Sequence, residues 1–307
     1  MPAHNEGGNI SGIAAAIAQA MTLAGSYEIV FVDDGSTDGT LAAIRAAAGD
    51  SAIRYVSFTR NFGHQAALRA GMRHARGRAV IVMDCDFEHP PELIPKLVAA
   101  WKAGAKIVAT RRDDEGVAAS KRLSSQLYYR FLDAIGDVRI EPGSADYMLL
   151  DRAVVDIVNG MEDQDIFLRG LVRWLGFPLT TIPYQRGTRQ SGDSKFSAAR
   201  MVELALSGIA AHSLRPLRFA IWLALGFALL SLLFIVYAMV SFLFVQHTVA
   251  GWSSLIAVIA ILGAAQLLVL GIVGEYVGRI LRETMRRPSY IVAETEAALR
   301  KPAAPAA

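Results

Sequence analysis

Cysteine is close to absent: Cys85 is the single one in 307 residues. One thiol makes neither an internal disulfide framework nor a multi-cysteine zinc site, and its isolation suits a reducing compartment. An excess of charge of one sign is missing too. Formal net charge is +3, from 31 Lys and Arg against 28 Asp and Glu, so the global balance gives nucleic acid no support as a partner. A leader is not visible: the first thirty residues hold Asn5, Glu6 and Glu28 and no positively charged start ahead of an apolar core. The chain opens at Met-Pro-Ala-His, already inside what reads as a motif, which leaves room for an upstream piece.

Charge is also missing from two long stretches near the end. Apart from Arg218 at its edge, Leu217 to Val245 carries none, and Trp252 to Gly274 carries none. These stretches hold much of the apolar excess behind a 53 % hydrophobic content and a mean hydropathy of +0.34. Each exceeds the roughly 20 apolar residues that cross a bilayer, against the alternative of two buried core helices. The connector Gln246 to Gly251 has no Lys or Arg, whereas Arg215 and Arg218 precede the first span and Arg279, Arg282, Arg286 and Arg287 follow the second. The excess of Lys and Arg in cytoplasmic loops then puts both outer ends in the cytoplasm. Trp222 and Trp252 fall near the expected interfaces, where indole rings are favoured. The expectation is a multi-pass protein of the cell inner membrane with a cytoplasmic catalytic part. Between the parts, Phe196 to Leu214 places Met201, Leu204, Ala205 and Ile209 on one helical face. That reads equally as an interfacial helix or as an amphipathic helix packed on a sheet.

Ahead of these stretches, strand-like and helix-like runs alternate. Tyr27–Val32, Ile53–Phe58 and Ala79–Met83 are apolar and β-branched, and Ala-rich segments at Ile10–Ala24 and Thr40–Ala47 read as helices. This alternation predicts a parallel α/β sheet. In such sheets ligands bind at the carboxyl ends of the strands, and the polar clusters of this chain sit there.

Asp84-Cys85-Asp86 follows the third run. Carboxylates one residue apart on an extended chain share a side. They suit a hard divalent cation that takes water and phosphate oxygens as its other ligands. Glu88 extends the set, and Cys85 faces the other way as a small core residue. Asp33-Asp34-Gly35-Ser36 ends the first run. Its carboxylates accept from a base or ribose, or close an Asx turn with Thr37 or Asp38 capping the next helix. Arg186, Arg189, Ser194 and Lys195 form a basic, Gly-containing loop. It reads as a phosphate site or as a patch meeting anionic lipid; Arg122 and Arg130 mark a second positive stretch.

Taken in order, Pro2-Ala3-His4-Asn5-Glu6, Asp33-Asp34-Gly35-Ser36, Arg60-Asn61-Phe62-Gly63-His64, Asp84-Cys85-Asp86-Phe87-Glu88-His89-Pro90-Pro91-Glu92 and Arg189-Gln190-Ser191-Gly192-Asp193-Ser194-Lys195 carry a resemblance. The chain resembles the polyprenyl-phosphate glycosyltransferases of glycosyltransferase family 2. Gly274-Glu275-Tyr276-Val277-Gly278-Arg279 and Arg287-Pro288-Ser289-Tyr290 look like the bacterial branch with two spans. The resemblance implies a Rossmann-like GT-A domain over 1–195, the amphipathic helix at 196–214, a membrane hairpin at 215–282 with spans 217–245 and 252–274, and a cytoplasmic tail at 283–307. It implies Mg²⁺ or Mn²⁺ on Asp84, Asp86 and Glu88. It implies a nucleotide-sugar pocket from Pro2, Ala3, His4, Asn5, Glu6, Asp33, Asp34, Arg60, Gly63, Asp84, Cys85 and Asp86. Arg122, Ser125, Arg189, Ser194 and Lys195 would meet the acceptor phosphate, with Asp84, Asp86, Asp146, Arg189 and Lys195 as the catalytic set. Two features depart from the pattern: the β-branched strand that usually leads into Pro2-Ala3 is absent, and His4 stands where the family usually has Tyr.

The implied reaction is an inverting, in-line transfer of a sugar from a nucleotide-diphosphate donor, UDP by analogy, to undecaprenyl phosphate for cell-envelope glycosylation. A phosphate monoester is largely dianionic near neutrality, its second pKa being about 6. Asp146 is therefore expected to position the acceptor or sugar rather than to remove a proton. Two rivals share the features: a processive polysaccharide synthase, disfavoured by two spans and a short connector, and a non-catalytic nucleotide-sugar-binding membrane protein, disfavoured by the intact Asp84/Asp86 pair. Partners are the donor, the lipid acceptor and the membrane; a homo-oligomer is compatible with all of this.

Overall fold

A computed structural model describes residues 1–22, 24–113, 143–163, 167–185, 215–244 and 251–296. They fall into two units, each treated by itself.

The first unit is α/β. Its first sheet is built on β2 (Ile29–Asp33), five residues buried on both faces, as expected of a strand covered by helices. β1 (Pro2–Ala3) and β3 (Ile53–Phe58) flank β2 in parallel, with Pro2 opposite Val32 and Phe31 opposite Tyr55. β8 (Val292–Thr295) closes the far edge antiparallel to β3. α1 (Ile10–Met21) buries Ile10, Ile13, Ala14 and Ile17, the i, i+3, i+4, i+7 stripe that turns a helix toward a core. α2 (Thr40–Ala47) follows β2, and α3 (His64–His74) follows β3.

The second sheet has the order β4-β6-β5-β7. β4 (Ala79–Val82) and β5 (Ile107–Arg112) both run antiparallel to β6 (Ser144–Asp151), and β7 (Leu179–Tyr184) runs parallel to β5. α4 (Ile94–Lys102), α5 (Arg152–Gly160) and α6 (Leu168–Trp174) complete the unit. Here the structure departs from the single parallel sheet read from the sequence. The third apolar run pairs in a second, mixed sheet, because β6 returns antiparallel beside it and β1 is only two residues long. A cavity of about 640 Å³, lined by Tyr27, Met83 and Trp101 and by the charged Glu28, Arg76 and Arg78 among others, lies between β2 and β4.

A second departure concerns the end of the chain. Residues 292–295, read from the sequence as part of a tail, form β8 of the first sheet. Arg45 holds Glu294 with Nε and Nη2 at 2.8 and 2.6 Å, and Arg54 Nε holds Glu296 at 2.7 Å.

The second unit contains α7 (Arg215–Phe244) and α8 (Trp252–Thr284), which pack on each other. Leu225, Leu229, Leu267 and Leu270 are more than half exposed. Within α8, Ile261–Thr284 is long and apolar enough to cross a membrane, and none of its apolar window is buried. The segment 196–214 and residues 246–250 of the connector lie outside the described residues.

Gly35 shows how tightly the first sheet's loops cross. It sits at φ +63°, and a Cβ there would lie 2.3 Å from the carbonyl carbon of Arg60. Gly35→Ala is expected to lose about 1–2 kcal/mol from the left-handed backbone alone, and more from the clash. A thermal melt of the purified variant checks this; an unchanged midpoint would refute the close crossing.

Candidate active site

The loops past β1 and β2 are stapled into one wall. Asn5, at φ +58°, donates its N–H to Ser36 Oγ at 3.1 Å and accepts from Thr37 N–H at 2.9 Å. Glu6 N–H donates to Thr40 Oγ1 at 2.8 Å, and His4 Nδ1 lies 2.9 Å from the Asp34 carbonyl oxygen. Pro2 and Ala3 are held by their ladder with Val32 and Asp33. Asp33 accepts from Ser36 N–H, three residues on, at 3.1 Å and also takes Ser57 Oγ at 2.7 Å. Asp34 is buried and receives the backbone N–H groups of Phe62 and Gly63 at 2.6 and 3.0 Å. These two carboxylates therefore shape the pocket wall through bonds made within the protein. Asp38, rather than a residue of the helix cap itself, accepts from Thr40 N–H at 2.9 Å ahead of α2.

Past β4, the chain alternates as expected. Cys85 is 2 % exposed with Sγ 3.1 Å from the Pro2 carbonyl oxygen, while the Asp84 side chain is 31 % exposed. Burial pushes the Asp86 carboxyl up, opposed by a hydrogen bond from Glu88 N–H at 3.0 Å and reinforced by the charges of Glu88 and Asp84. His89 Nδ1 accepts from Asp84 N–H at 2.9 Å, which puts the ring proton on Nε2. Burial pushes the His89 pKa down against the nearby carboxylates. The ring stacks on Tyr147 at 4.9 Å, so the loop is pinned from below. Phe87, at φ +64°, packs beside Gly12 of α1.

The third group gathers around Asp146, which the resemblance named, and adds partners the sequence did not announce. Asp146 lies 3 % exposed in β6 and is held by a two-pronged bond from Arg169 of α6, Nε to Oδ1 at 2.7 Å and Nη2 to Oδ2 at 2.8 Å. Gln65 Nε2 reaches Asp146 Oδ2 at 3.4 Å and its Oε1 accepts from Leu168 N–H at 3.1 Å. Between this pair and the β4 loop stands His64: its Nε2 is 3.6 Å from Asp84 Oδ1 and 3.6 Å from Asp146 Oδ2. Burial alone would raise the Asp146 pKa. The hydrogen bond to His64 and the Arg169 fork outweigh it and hold the carboxyl well below the usual range. Burial would likewise lower the His64 pKa, and the bond to Asp146 with the charge of Asp84 raises it instead.

The structure thus brings Asp84, Asp86 and Asp146 to one place and adds His64, Gln65 and Arg169. His64 was visible only as the last residue of the Arg60–His64 motif. Arg169 lies 23 positions from its partner and carries no local signal. Arg60, named for the nucleotide pocket, lays its guanidinium over the Phe62 ring at 4.1 Å. The residues named for the acceptor phosphate, Arg122, Ser125, Arg189, Ser194 and Lys195, lie outside the described residues, as do Arg130 and Arg186.

An α/β domain with an Asp-x-Asp loop past a strand end, beside the stapled loops that follow β1 and β2, is an arrangement of the GT-A type. The chain belongs to glycosyl transferase family 2, whose model matches residues 1–156, and it is a glycosyltransferase. It is 38 % identical over 267 residues to the bactoprenol glucosyl transferase of Shigella phage SfV, covering 86 % of this chain and 87 % of the relative. It is 38 % identical over 269 residues to the prophage bactoprenol glucosyl transferase homolog of Escherichia coli K12, at 86 % and 87 % coverage. Among solved structures it is similar to mannosyltransferase PcManGT from Pyrobaculum calidifontis in complex with GDP-Man and Mn²⁺, at 20 % identity and a TM-score of 0.45 over 88 % of this chain and 85 % of that one.

Removing Arg169 would leave Asp146 charged and buried. Breaking such a pair costs about 3–5 kcal/mol when both members are buried. The Arg169 side chain is 36 % exposed, so roughly 2–3 kcal/mol is expected for Arg169→Ala after solvent screening. The pH dependence follows from the sign. Without Arg169, burial is opposed by His64 alone, and the folded pKa of Asp146 moves up from its depressed position. A carboxyl with a depressed folded pKa contributes stability that is present above its unfolded value of about 3.9 and is lost as pH falls through the folded value. The melting deficit of Arg169→Ala relative to the parent protein should therefore be larger at pH 7 than at pH 3. A deficit independent of pH would show that Asp146 is not the group left unpaired.

Proposed function

We propose that the protein transfers a sugar from a UDP-sugar to undecaprenyl phosphate, with inversion, at the cytoplasmic face of the membrane. The single observation carrying this reading is the state of Asp146. Both its oxygens are engaged by Arg169, and its pKa is held low. A carboxylate so held is a poor base, and an alcohol acceptor needs a base. A lipid phosphate does not, being already anionic at neutral pH. This favours a phosphate acceptor over the hydroxyl acceptor of a polysaccharide synthase. The relatives named bactoprenol glucosyl transferases support the same acceptor and a glucosyl donor.

In the reaction, a phosphate oxygen of the acceptor attacks the anomeric carbon as the bond from that carbon to the nucleoside diphosphate breaks. The leaving diphosphate takes the electron pair, and the configuration at carbon inverts. Asp84 and Asp86 fit a Mg²⁺ or Mn²⁺ ion. Among the described residues no three His, Cys, Asp or Glu side chains gather to hold an ion alone, and these hard cations typically take one or two carboxylates and complete their shell with phosphate and water. Bound there, the ion supplies charge neutralisation for the departing diphosphate. Glu88 is the candidate further oxygen ligand, and its N–H already orients Asp86. His64 aligns Asp84 against Asp146. Arg189 and Lys195, with Arg122, Ser125 and Ser194, are proposed to receive the lipid phosphate, since an anion approaching this many carboxylates requires cations nearby.

A membrane hairpin made of α7 and α8 belongs to the same proposal. β8 follows α8 in sequence and pairs with β3, which precedes α7. A chain that leaves the catalytic sheet, enters a membrane and returns to that sheet must cross an even number of times. That requirement, the exposed leucines of both helices and the arginines outside them support two spans with the catalytic unit on the cytoplasmic side.

Asp84→Asn and Asp86→Asn are each expected to lower sugar transfer to purified undecaprenyl phosphate at least a hundredfold, roughly the weight of one lost charge-stabilising group, with melting midpoints unchanged. Turnover near that of the parent protein in chelator-treated buffer would refute the metal role. For topology, a single cysteine at Thr248 in a Cys85→Ser background should react with an impermeant thiol reagent in intact cells; reaction only after lysis would reverse the hairpin.

A further inference from the structure

The first folded residues after α8 lie against the loop that frames the proposed site. Tyr290 stacks on Phe58, the last residue of β3, with ring centroids 4.8 Å apart and planes 16° from parallel. Phe58 in turn meets Phe62 edge-on at 5.7 Å. The backbone adds a second tie, Thr59 N–H donating to the Ile291 carbonyl at 3.1 Å. The β3–β8 register shifts between Ser57 and Phe58, where such an irregularity re-aims the chain leaving the strand. What leaves is the segment Thr59 to His64. Its Phe62 and Gly63 N–H groups hold Asp34, and its end, His64, stands between Asp84 and Asp146. Phe58 and Ala67 belong to one small core cluster over which Phe62, Ala66 and Tyr290 pack.

We infer that Tyr290 is a positioning residue for the glycosyltransferase site: by stacking on Phe58, which meets Phe62 edge-on, it fixes the loop that carries Asp34's backbone partners and His64. The inference rests on the proposed nucleotide site. The same strand provides a natural control. Glu294 binds Arg45 and the Tyr55 hydroxyl, at 3.1 Å for the latter, and these contacts anchor β8 without touching Phe58 or Phe62. Losing Glu294 loosens the strand; losing Tyr290 frees the loop. An aromatic pair contributes enough to change an equilibrium about three- to tenfold.

The experiment uses the full chain in detergent with Tyr290→Ala, Tyr290→Leu, Tyr290→Phe and Glu294→Gln. UDP affinity in the presence of Mn²⁺ is measured by calorimetry, and hydrogen exchange is followed at residues 59–65. Tyr290→Ala, or Tyr290→Leu should the alanine variant not fold, is expected to weaken UDP and raise the donor KM about three- to tenfold. The KM for undecaprenyl phosphate should stay unchanged, and exchange at 59–65 should quicken. Tyr290→Phe, which keeps the stack, should restore both readings. Glu294→Gln should lower the melting midpoint and leave UDP affinity alone. Unchanged exchange in Tyr290→Leu, or a UDP loss in Glu294→Gln equal to that of the Tyr290 variants, would overturn the inference. A parent protein that binds UDP but transfers no sugar removes the proposed reaction and leaves the loop reading intact. Where UDP does not bind, the exchange data decide.

Discussion

A carboxylate taken out of water is tolerated only where another charge and well-aimed donors meet its oxygens, and Asp146 is where this fold depends on that condition. It sits in β6, the strand that joins β4 to β5. Arg169 comes from α6, Gln65 and His64 from the start of α3. Satisfying one buried charge thus ties together β6, α3 and α6, and it carries the tie to Asp84 through His64. The same pairing bears on the proposed chemistry: a carboxylate with a two-pronged cation on it is an anchor, which favours an acceptor that arrives already able to attack.

Around that anchor the site is rich in negative charge: Asp33, Asp34, Asp84, Asp86 and Glu6 stand on neighbouring loops. Their self-repulsion is managed unevenly. The Asp33 and Asp34 oxygens are met by N–H and hydroxyl donors, and Asp146 is paired with Arg169 beside His64. Asp84 and Asp86 stay partly open to solvent, and the Asp86 carboxyl is pushed up by its burial and by its acidic neighbours. A divalent cation and a diphosphate would relieve this strain as a pair, each supplying the charge the other needs.

The end of the chain belongs to this economy. β8 covers an otherwise open edge of the first sheet, as exposed edges are commonly managed; its Glu294 meets Arg45, and Glu296 just past it meets the largely buried Arg54. Tyr290 closes the small apolar cluster beneath the loop from Thr59 to His64. A segment that looked like a polar extension beyond the hairpin is built into the domain that precedes the hairpin.

By itself the sequence determined what depends on local pattern. Apolar, β-branched runs and Ala-rich segments placed β3 and α2 to the residue and β2 and α1 within a few. The strand-end Asp-x-Asp put Cys85 inward and its neighbours outward, and the ordered motifs identified the family. Two charge-free stretches marked α7 and α8. Tertiary structure alone decided everything that joins distant residues. Whether β4 shares a sheet with β2 depends on which strand reaches its edge, and that partner, β6, lies more than sixty residues away. The Asp146–Arg169 pair and the seat of Tyr290 on Phe58 are likewise long-range. No periodicity encodes them, because an ion pair or an aromatic stack is fixed by where two side chains meet in space and not by their spacing along the chain.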